Sequence, residues 1–111
     1  MILAWPLRIV EVHGPSMVPA LRHGDRLVVW LRRPRRMPKV GTVVVVELPD
    51  RPLAVKRLAA VDGDRVRLEG DNEFASTDSR TLGALPSTAV RGRVLLRLWP
   101  RPGRVPKPVR P

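Results

Sequence analysis

Short runs of β-branched residues, separated by glycine and proline, constrain the fold of this chain most strongly. The run at 41–48, GTVVVVEL, has four consecutive valines, as is typical of a strand buried on both faces. Further strand candidates are 7–12, 26–31, 53–61, 65–69 and 91–98. The Asp-Gly-Asp sequence at 62–64 predicts a tight turn, and helical periodicity is weak. The sequence therefore predicts an all-β, barrel-like domain.

Composition limits the classes of function. The chain has 111 residues, which suits a single domain with a modest core, and it has no cysteine for a disulfide or a thiolate metal site. A net charge of +11 predicts attraction to anionic surfaces. Five basic residues fall in 32–39, RRPRRMPK, which we interpret as a solvated loop or a phosphate- or lipid-binding loop. Aromatic residues make up only 4%, so no specific nucleic-acid partner is expected.

The two ends of the chain differ from its centre. The apolar start is interrupted by Pro6, Arg8 and Glu11, and it is shorter than the roughly 20 residues of a membrane-spanning helix. It also lacks the pattern of a secretory signal, so we expect an irregular start, no anchor and a cytoplasmic location. The tail at 101–111 is rich in proline and arginine. We therefore expect the domain to occupy 1–100 and the tail to be disordered.

Ser16 lies in a turn-forming stretch at 12–25, VHGPSMVPALRHGD. Proline and glycine exclude a regular helix or a central strand there, so the hydroxyl should be exposed. The residue is then either an ordinary loop serine or a nucleophile. We expect Met17 and Pro19 at the rim of a substrate site. His13 is close in sequence, but proximity along the chain does not give a Ser/His pair its geometry, so we place His13 at the rim too.

Lys56 lies inside an apolar strand candidate. Because side chains alternate along a strand, it should share a face with Ala54, Leu58 and Ala60. Burial of an ammonium lowers its pKa, and a neutral amine can accept the proton of a serine hydroxyl. The alternative is a lysine whose amine reaches solvent. Arg57 should point to the opposite face, towards solvent or a carboxylate.

Three motifs occur together: SMVPAL followed by GD, then VKR, then GDNEFASTDSRTLG at 70–83. With this order and spacing, the chain resembles the type I signal peptidase family of Ser/Lys proteases over about residues 10–100. The resemblance implies a small coiled β-barrel in which Ser16 is the nucleophile and Lys56 is the general base. By the same match, Ser76 would orient the lysine.

The third motif implies further supporting residues. Asp78 and Arg80 match the paired charges beneath the family's site, while Asp71 and Asn72 would satisfy backbone donors in the loop. Gly14 and the backbone N–H of Ser16 lie where the oxyanion hole is expected, and the second donor stays open. The carboxylates fit no calcium-loop spacing, so no metal and no cofactor are expected.

The resemblance implies a serine endopeptidase that removes a short N-terminal leader after a small residue. Short, anchor-free members of the family mature nickel superoxide dismutase, so the expected partner is such a precursor, with at most weak peripheral contact with an anionic membrane. Three alternatives remain: a general leader peptidase, a self-cleaving regulator of the LexA type, and a non-catalytic basic module that binds nucleic acid or lipid.

Overall fold

The computed structural model describes residues 4–49, 51–72, 74 and 79–108. Within these residues the chain forms one curled antiparallel sheet of seven strands, in the order β1-β2-β7-β3-β4-β5-β6. The strands are β1 (Leu7–Glu11), β2 (Arg26–Trp30), β3 (Val43–Leu48), β4 (Arg51–Asp62), β5 (Arg65–Glu69), β6 (Leu85–Pro86) and β7 (Val90–Trp99). A short helix, α1 (Ser79–Leu82), and a 3-10 turn (Ser87–Ala89) lie between β5 and β7. The prediction of an all-β fold is confirmed.

β3 is the central strand and is buried on both faces, as its four valines predicted. Val43 and Val45 pack in a first core cluster, whereas Val44 and Val46 pack in a second cluster on the other face. The first cluster also contains Val12, Met17, Leu21, Leu27, Val29 and Val94. The second also contains Leu48, Leu58, Val66, Leu68 and Val90. Each fully buried side chain of this kind contributes about 1.5–3 kcal/mol to stability, so β3 organises both halves of the core.

Irregular register curls the sheet into a half-barrel. The pairs β2–β7, β3–β4, β3–β7 and β4–β5 each contain a register shift. Such bulges bend the bulged strand and increase its twist. β1 and β6 lie at the two ends of the strand order. Because the sheet curls, the edge of β1 lies close to β4, and a cavity is present between these two strands.

Local patterns located most strands, and tertiary context set their lengths. The predicted turn at 62–64 joins β4 to β5, with Gly63 at φ +60°. β4 is longer than predicted and runs through twelve residues. The sequence analysis did not predict α1 or β6, because their residues lack the periodicity of a longer element.

The described part of the tail, 101–108, differs from the disordered segment that its composition suggested. Gly103 and Arg97 exchange two backbone hydrogen bonds of 2.8 and 3.0 Å. Val105 packs against the first core cluster, and the Pro106 carbonyl accepts a hydrogen bond of 2.9 Å from Arg57. Through these contacts, the tail packs against the sheet at 101–108 although it has no regular secondary structure there.

Candidate active site

The turn that carries Ser16 connects β1 to β2 and is closed at its base by backbone hydrogen bonds. The Val12 N–H donates to the Asp25 carbonyl, and the Gly24 N–H donates to the Val12 carbonyl, both at 2.8 Å. Gly14 has φ +81°, a conformation that favours glycine. These restraints leave Ser16 half-buried at the top of a fixed turn.

Apolar residues anchor this turn from below. Met17 is 1% exposed and packs in the first core cluster with Leu21. Met17 lines the cavity that holds Ser16, but it is buried in the wall and not exposed at a rim, because its apolar side chain gains by burial. Pro19 is exposed and does not line the cavity. A contact of either residue with substrate stays a prediction.

Lys56 lies on β4 directly opposite Val44 of β3 and is only 1% exposed. Val44 and Leu58, the neighbours on its strand face, are fully buried. Burial of this amine matches the expectation from the sequence. Lysine is seldom buried so completely unless its amine is held by a partner or serves a function.

Ser16 and Lys56 line the same cavity, which has a volume of about 430 Å³. Its walls are the end of β1, the Ser16 turn, Val45 of β3 and the first half of β4. Residues 40 positions apart in sequence are therefore brought to one concave site. A largely apolar cavity with a hydroxyl and an amine is a setting in which proton transfer between them would be shielded from water.

Backbone donors for an oxyanion can be assigned in part. Within the described ranges, the Ser16 N–H donates to no acceptor, and its role as an oxyanion donor stays a prediction. The Gly14 N–H instead donates to Nδ1 of His23 at 3.0 Å. Gly14 therefore shapes the turn and is already engaged, so it does not supply the second donor.

The two histidines pack against each other beside the turn. Their ring centroids are 5.6 Å apart in an edge-to-face arrangement, and His13 lines the cavity, where the sequence analysis expected it. In the part of the chain that the structure describes, neither histidine makes a hydrogen bond to Ser16. The same ranges contain no group of three His, Cys, Asp or Glu able to hold a metal ion.

Asn72 fixes the Ser16 turn through hydrogen bonds to two of its carbonyls. Its N–H donates to the Ser16 carbonyl at 2.9 Å, and its Nδ2 donates to the Pro15 carbonyl at 3.2 Å. Its Oδ1 accepts from the Phe74 N–H at 3.3 Å. The sequence analysis expected Asn72 only to satisfy donors in its own loop. The bonds to Pro15 and Ser16 were missed, because nothing in the local sequence indicates that distant contact.

Asp71, expected to satisfy backbone donors, pairs with Arg57 instead. The guanidinium donates to both carboxylate oxygens, from Nε at 2.9 Å and from Nη2 at 2.7 Å. It also donates to the Gly41 and Pro106 carbonyls, each at 2.9 Å. Arg57 is 6% exposed, so this bidentate pair is buried beside Lys56. The expected alternative of carboxylate pairing for Arg57 is confirmed.

A second buried arginine holds the far end of the Ser16 turn. Arg97 of β7 lies 3.5 Å from the Asp25 carboxylate and donates to the Ala20 carbonyl at 3.2 Å. Its Nε donates to the Arg101 carbonyl at 2.7 Å. Asp25 also accepts from the Arg22 N–H at 3.0 Å. The only signal in the sequence was a charged residue inside the otherwise apolar end of β7, and the sequence analysis did not use it.

Arg80 lies in α1, and its described contacts are with residues that precede the loop. It donates to the Gly70 carbonyl at 2.7 Å and lies 3.8 Å from the Glu69 carboxylate. Its expected partner, Asp78, lies outside the described residues, as does Ser76. The lysine-orienting role of Ser76 and the Asp78–Arg80 pair therefore stay predictions.

Comparison with known proteins identifies the class to which this fold and cavity belong. The family model described as Peptidase S24-like matches residues 5–95. The chain belongs to the Peptidase S24-like family, and this membership supports a peptidase.

Similar proteins of known name indicate which kind of peptidase this family member resembles. The chain is 34% identical to mitochondrial ATP-independent inner membrane protease subunit 1a of Arabidopsis thaliana, over 81% of this chain and 69% of that protein. It is 35% identical to mitochondrial inner membrane protease subunit 1 of Xenopus tropicalis, over 83% and 69%. A signal peptidase complex catalytic subunit of Fusarium vanettenii is 33% identical, over 63% and 44%. These similarities support leader processing of the signal peptidase type. No helix in the described residues is long and apolar enough to cross a membrane.

Proposed function

We propose that this protein is a serine endopeptidase in which Ser16 is the nucleophile and Lys56 is the general base. The observation that carries the proposal is the shared cavity, which is lined by a half-buried serine on a fixed turn and by a lysine that is 1% exposed. Membership of a peptidase family supports the reaction class. The pair of residues follows from the cavity and from the motif resemblance.

The proposed reaction follows Ser/Lys chemistry. The neutral Lys56 amine takes the Ser16 hydroxyl proton while Oγ attacks the scissile carbonyl, and the Ser16 N–H donates to the resulting oxyanion. The ammonium then protonates the leaving amine, which departs as the C–N bond breaks and an acyl-enzyme ester remains. Lys56 next takes a proton from water, whose oxygen attacks the ester. Return of that proton to Oγ releases the carboxylic acid product and restores the enzyme.

The substrate would bind as an extended strand along the cavity. β1 has one strand neighbour, β2, in the described sheet, so its other edge is open beside the Ser16 turn. Val10 and Val12 of β1 and Leu53 of β4 line the cavity with the serine. Main-chain hydrogen bonds to such an edge supply affinity, and the narrow apolar space selects small side chains near the cut.

We take the leader of a precursor protein as the substrate, with the precursor of a nickel superoxide dismutase as the first candidate. That choice rests on the motif resemblance, whereas the named relatives support leader processing in general. The cytoplasmic location expected from the sequence is likewise a prediction.

The test is to incubate the purified protein with two substrates, a nickel superoxide dismutase precursor and a secretory precursor. Mass spectrometry then identifies each new N-terminus. We expect cleavage after a small residue by the wild type and none by Ser16→Ala or Lys56→Met. If only the secretory precursor is cleaved, the nickel superoxide dismutase precursor is rejected as the substrate in favour of secretory leaders. Cleavage that persists in Ser16→Ala would reject Ser16 as the nucleophile.

A further inference from the structure

A second cavity lies apart from the catalytic one and is lined mainly by arginine. It has a volume of about 290 Å³ and shares no lining residue with the cavity that holds Ser16 and Lys56. Its walls are the loop after β2 and the start of β7. We call it the arginine groove, and its defining side chains are Arg32, Arg33, Arg35, Arg36, Arg93 and Trp30.

The five guanidinium groups of the groove are exposed and lack partners. In residues 4–49, 51–72, 74 and 79–108, none of them makes a hydrogen bond or an ion pair, and no acidic residue lines the groove. Buried Arg57 and Arg97, by contrast, are each satisfied by a carboxylate and by carbonyl groups. Five unpaired cations around one concavity repel one another, and an anion placed among them relieves this repulsion.

At the floor of the groove, the backbones of β2 and β7 lie in close contact. Gly92 of β7 lies against the end of β2, and a Cβ at position 92 would stand 2.3 Å from the Trp30 carbonyl oxygen. Any side chain there would push β2 and β7 apart. Because Gly92 permits this approach, Arg93 faces the same concavity as the loop arginines. Pro34 and Pro38 also line the groove and restrict the backbone of the loop.

We propose that the arginine groove binds the phosphate of an anionic phospholipid head group and so holds the protein at a membrane surface. Guanidinium matches phosphate oxygens with paired hydrogen bonds, and its planar fork suits such groups better than an ammonium does. The small volume suits one phosphate with a short substituent. Each basic residue near an anionic bilayer raises the partition coefficient about five-fold.

An exposed tryptophan beside the groove favours a lipid surface over nucleic acid. Trp5 is 60% exposed and precedes Pro6, whose carbonyl accepts a hydrogen bond of 2.8 Å from Leu31, the residue after Trp30. Tryptophan is favoured at the level of lipid head groups. Single-stranded nucleic acid would instead require aromatic side chains on which successive bases could stack, and Trp30 is the one aromatic residue that lines the groove.

The test measures vesicle binding by co-sedimentation of the full chain. Vesicles contain phosphatidylcholine alone or phosphatidylcholine and phosphatidylglycerol in equal parts. The groove variant is Arg35→Gln with Arg36→Gln. Its matched control is Arg101→Gln with Arg104→Gln, which removes two exposed tail arginines and the same amount of charge. Circular dichroism and thermal unfolding verify that both variants fold.

We expect the wild type to bind the phosphatidylglycerol vesicles and not the neutral ones. The groove variant should lose about 25-fold in partition coefficient, whereas the control should lose only a few-fold through its net charge. Equal losses in the two variants would show that net charge alone drives binding, and would overturn the groove as a site. Unimpaired binding by the groove variant would do the same.

Two further arms identify the source of the phosphate. Titration with inorganic phosphate and glycerol phosphate, followed by calorimetry, should show only weak binding. Groove-dependent binding of either free anion at least as tight as binding to the vesicles would overturn the lipid assignment in favour of a soluble phosphate. Groove-dependent binding of a labelled single-stranded RNA, tighter than vesicle binding at the same salt concentration, would overturn it in favour of nucleic acid.

Discussion

Two cavities of this molecule, the one that holds Ser16 and Lys56 and the arginine groove, differ in the state of their cationic side chains. In the cavity that holds Ser16, Lys56 is 1% exposed. Arg57, the next residue in sequence, does not line that cavity and is satisfied by a carboxylate and two carbonyls. In the arginine groove five guanidinium groups are exposed and unpaired in the described structure. The difference lies in burial and partners. A buried cation either loses its charge or requires a partner, whereas an exposed cation keeps both its charge and its capacity for an external ligand.

The largest expected effect comes from replacing Lys56 with an arginine, the cation that lines the groove. Lys56→Arg should lower kcat/KM at least about 10³-fold, because a guanidinium stays protonated and cannot act as a base. Lys39→Arg, at an exposed position, is the matched control and should keep wild-type activity. Peptide cleavage assays measure both. Substantial activity in Lys56→Arg would exclude Lys56 as the base and implicate His13, which lines the same cavity.

The same burial predicts the pH dependence of the wild type. Burial disfavours the charged form of an amine, and the proposed mechanism requires Lys56 to act in its neutral form. Since only the neutral amine can act as a base, kcat/KM should rise with pH as Lys56 loses its proton. A profile that is flat from acidic to alkaline pH would argue against a lysine base.

The second effect concerns stability and contrasts a paired arginine with an unpaired one. Arg57→Ala leaves the buried Asp71 carboxylate without its partner and should cost about 3–5 kcal/mol of unfolding free energy. Arg35→Ala in the groove should change it by no more than about 0.5 kcal/mol. Urea denaturation of the two variants measures the difference. Similar losses in both would mean that the groove arginines have a structural role.

Asn72 tests how far the geometry of the Ser16 turn depends on residues outside the cavity. Asn72→Ala removes the side-chain bonds to the Pro15 carbonyl and the Phe74 N–H but keeps the backbone bond to Ser16. We expect kcat to fall about ten-fold with KM little changed, and a stability loss of about 1 kcal/mol. Thr88→Ala, an exposed polar position near the groove, should change neither. A fall in stability without a fall in kcat would leave Asn72 only a structural role.

The smallest expected effect is on kcat/KM and concerns Glu11, because an acidic residue lines the cavity of Ser16 whereas none lines the arginine groove. Glu11 of β1 lines the cavity that holds Ser16 and Lys56, and its carboxylate has no ion pair among the described side chains of this strongly basic protein. Glu11→Gln should lower kcat/KM a few-fold for peptides with lysine near the cut, because an exposed charge pair contributes about 0.2–1 kcal/mol. Peptides with a neutral residue there are the control. Equal effects on both peptides would mean that Glu11 does not select substrate charge.

Local sequence patterns predicted the parts of the fold that depend on side-chain alternation and turns. Consecutive valines identified β3 as buried on both faces, and the glycine at 63 identified the turn between β4 and β5. The same reasoning predicted that Lys56 would be buried among apolar neighbours. Each of these inferences concerns residues within a few positions of one another, where the period of a strand determines which side chains share a face.

Contacts between distant residues were decided only by the tertiary structure. The bonds from Arg97 to Ala20, from Asn72 to Pro15 and from Arg57 to Pro106 join residues separated by 77, 57 and 49 positions. Composition suggested a disordered tail, yet the buried Arg57 and Arg97 supply donors that dock residues 101–108. Which distant carbonyl meets which donor depends on strand order and register. Strand order and register depend on the packing of the whole sheet. A local pattern can therefore predict that a lysine is buried, but it cannot predict which serine shares its cavity.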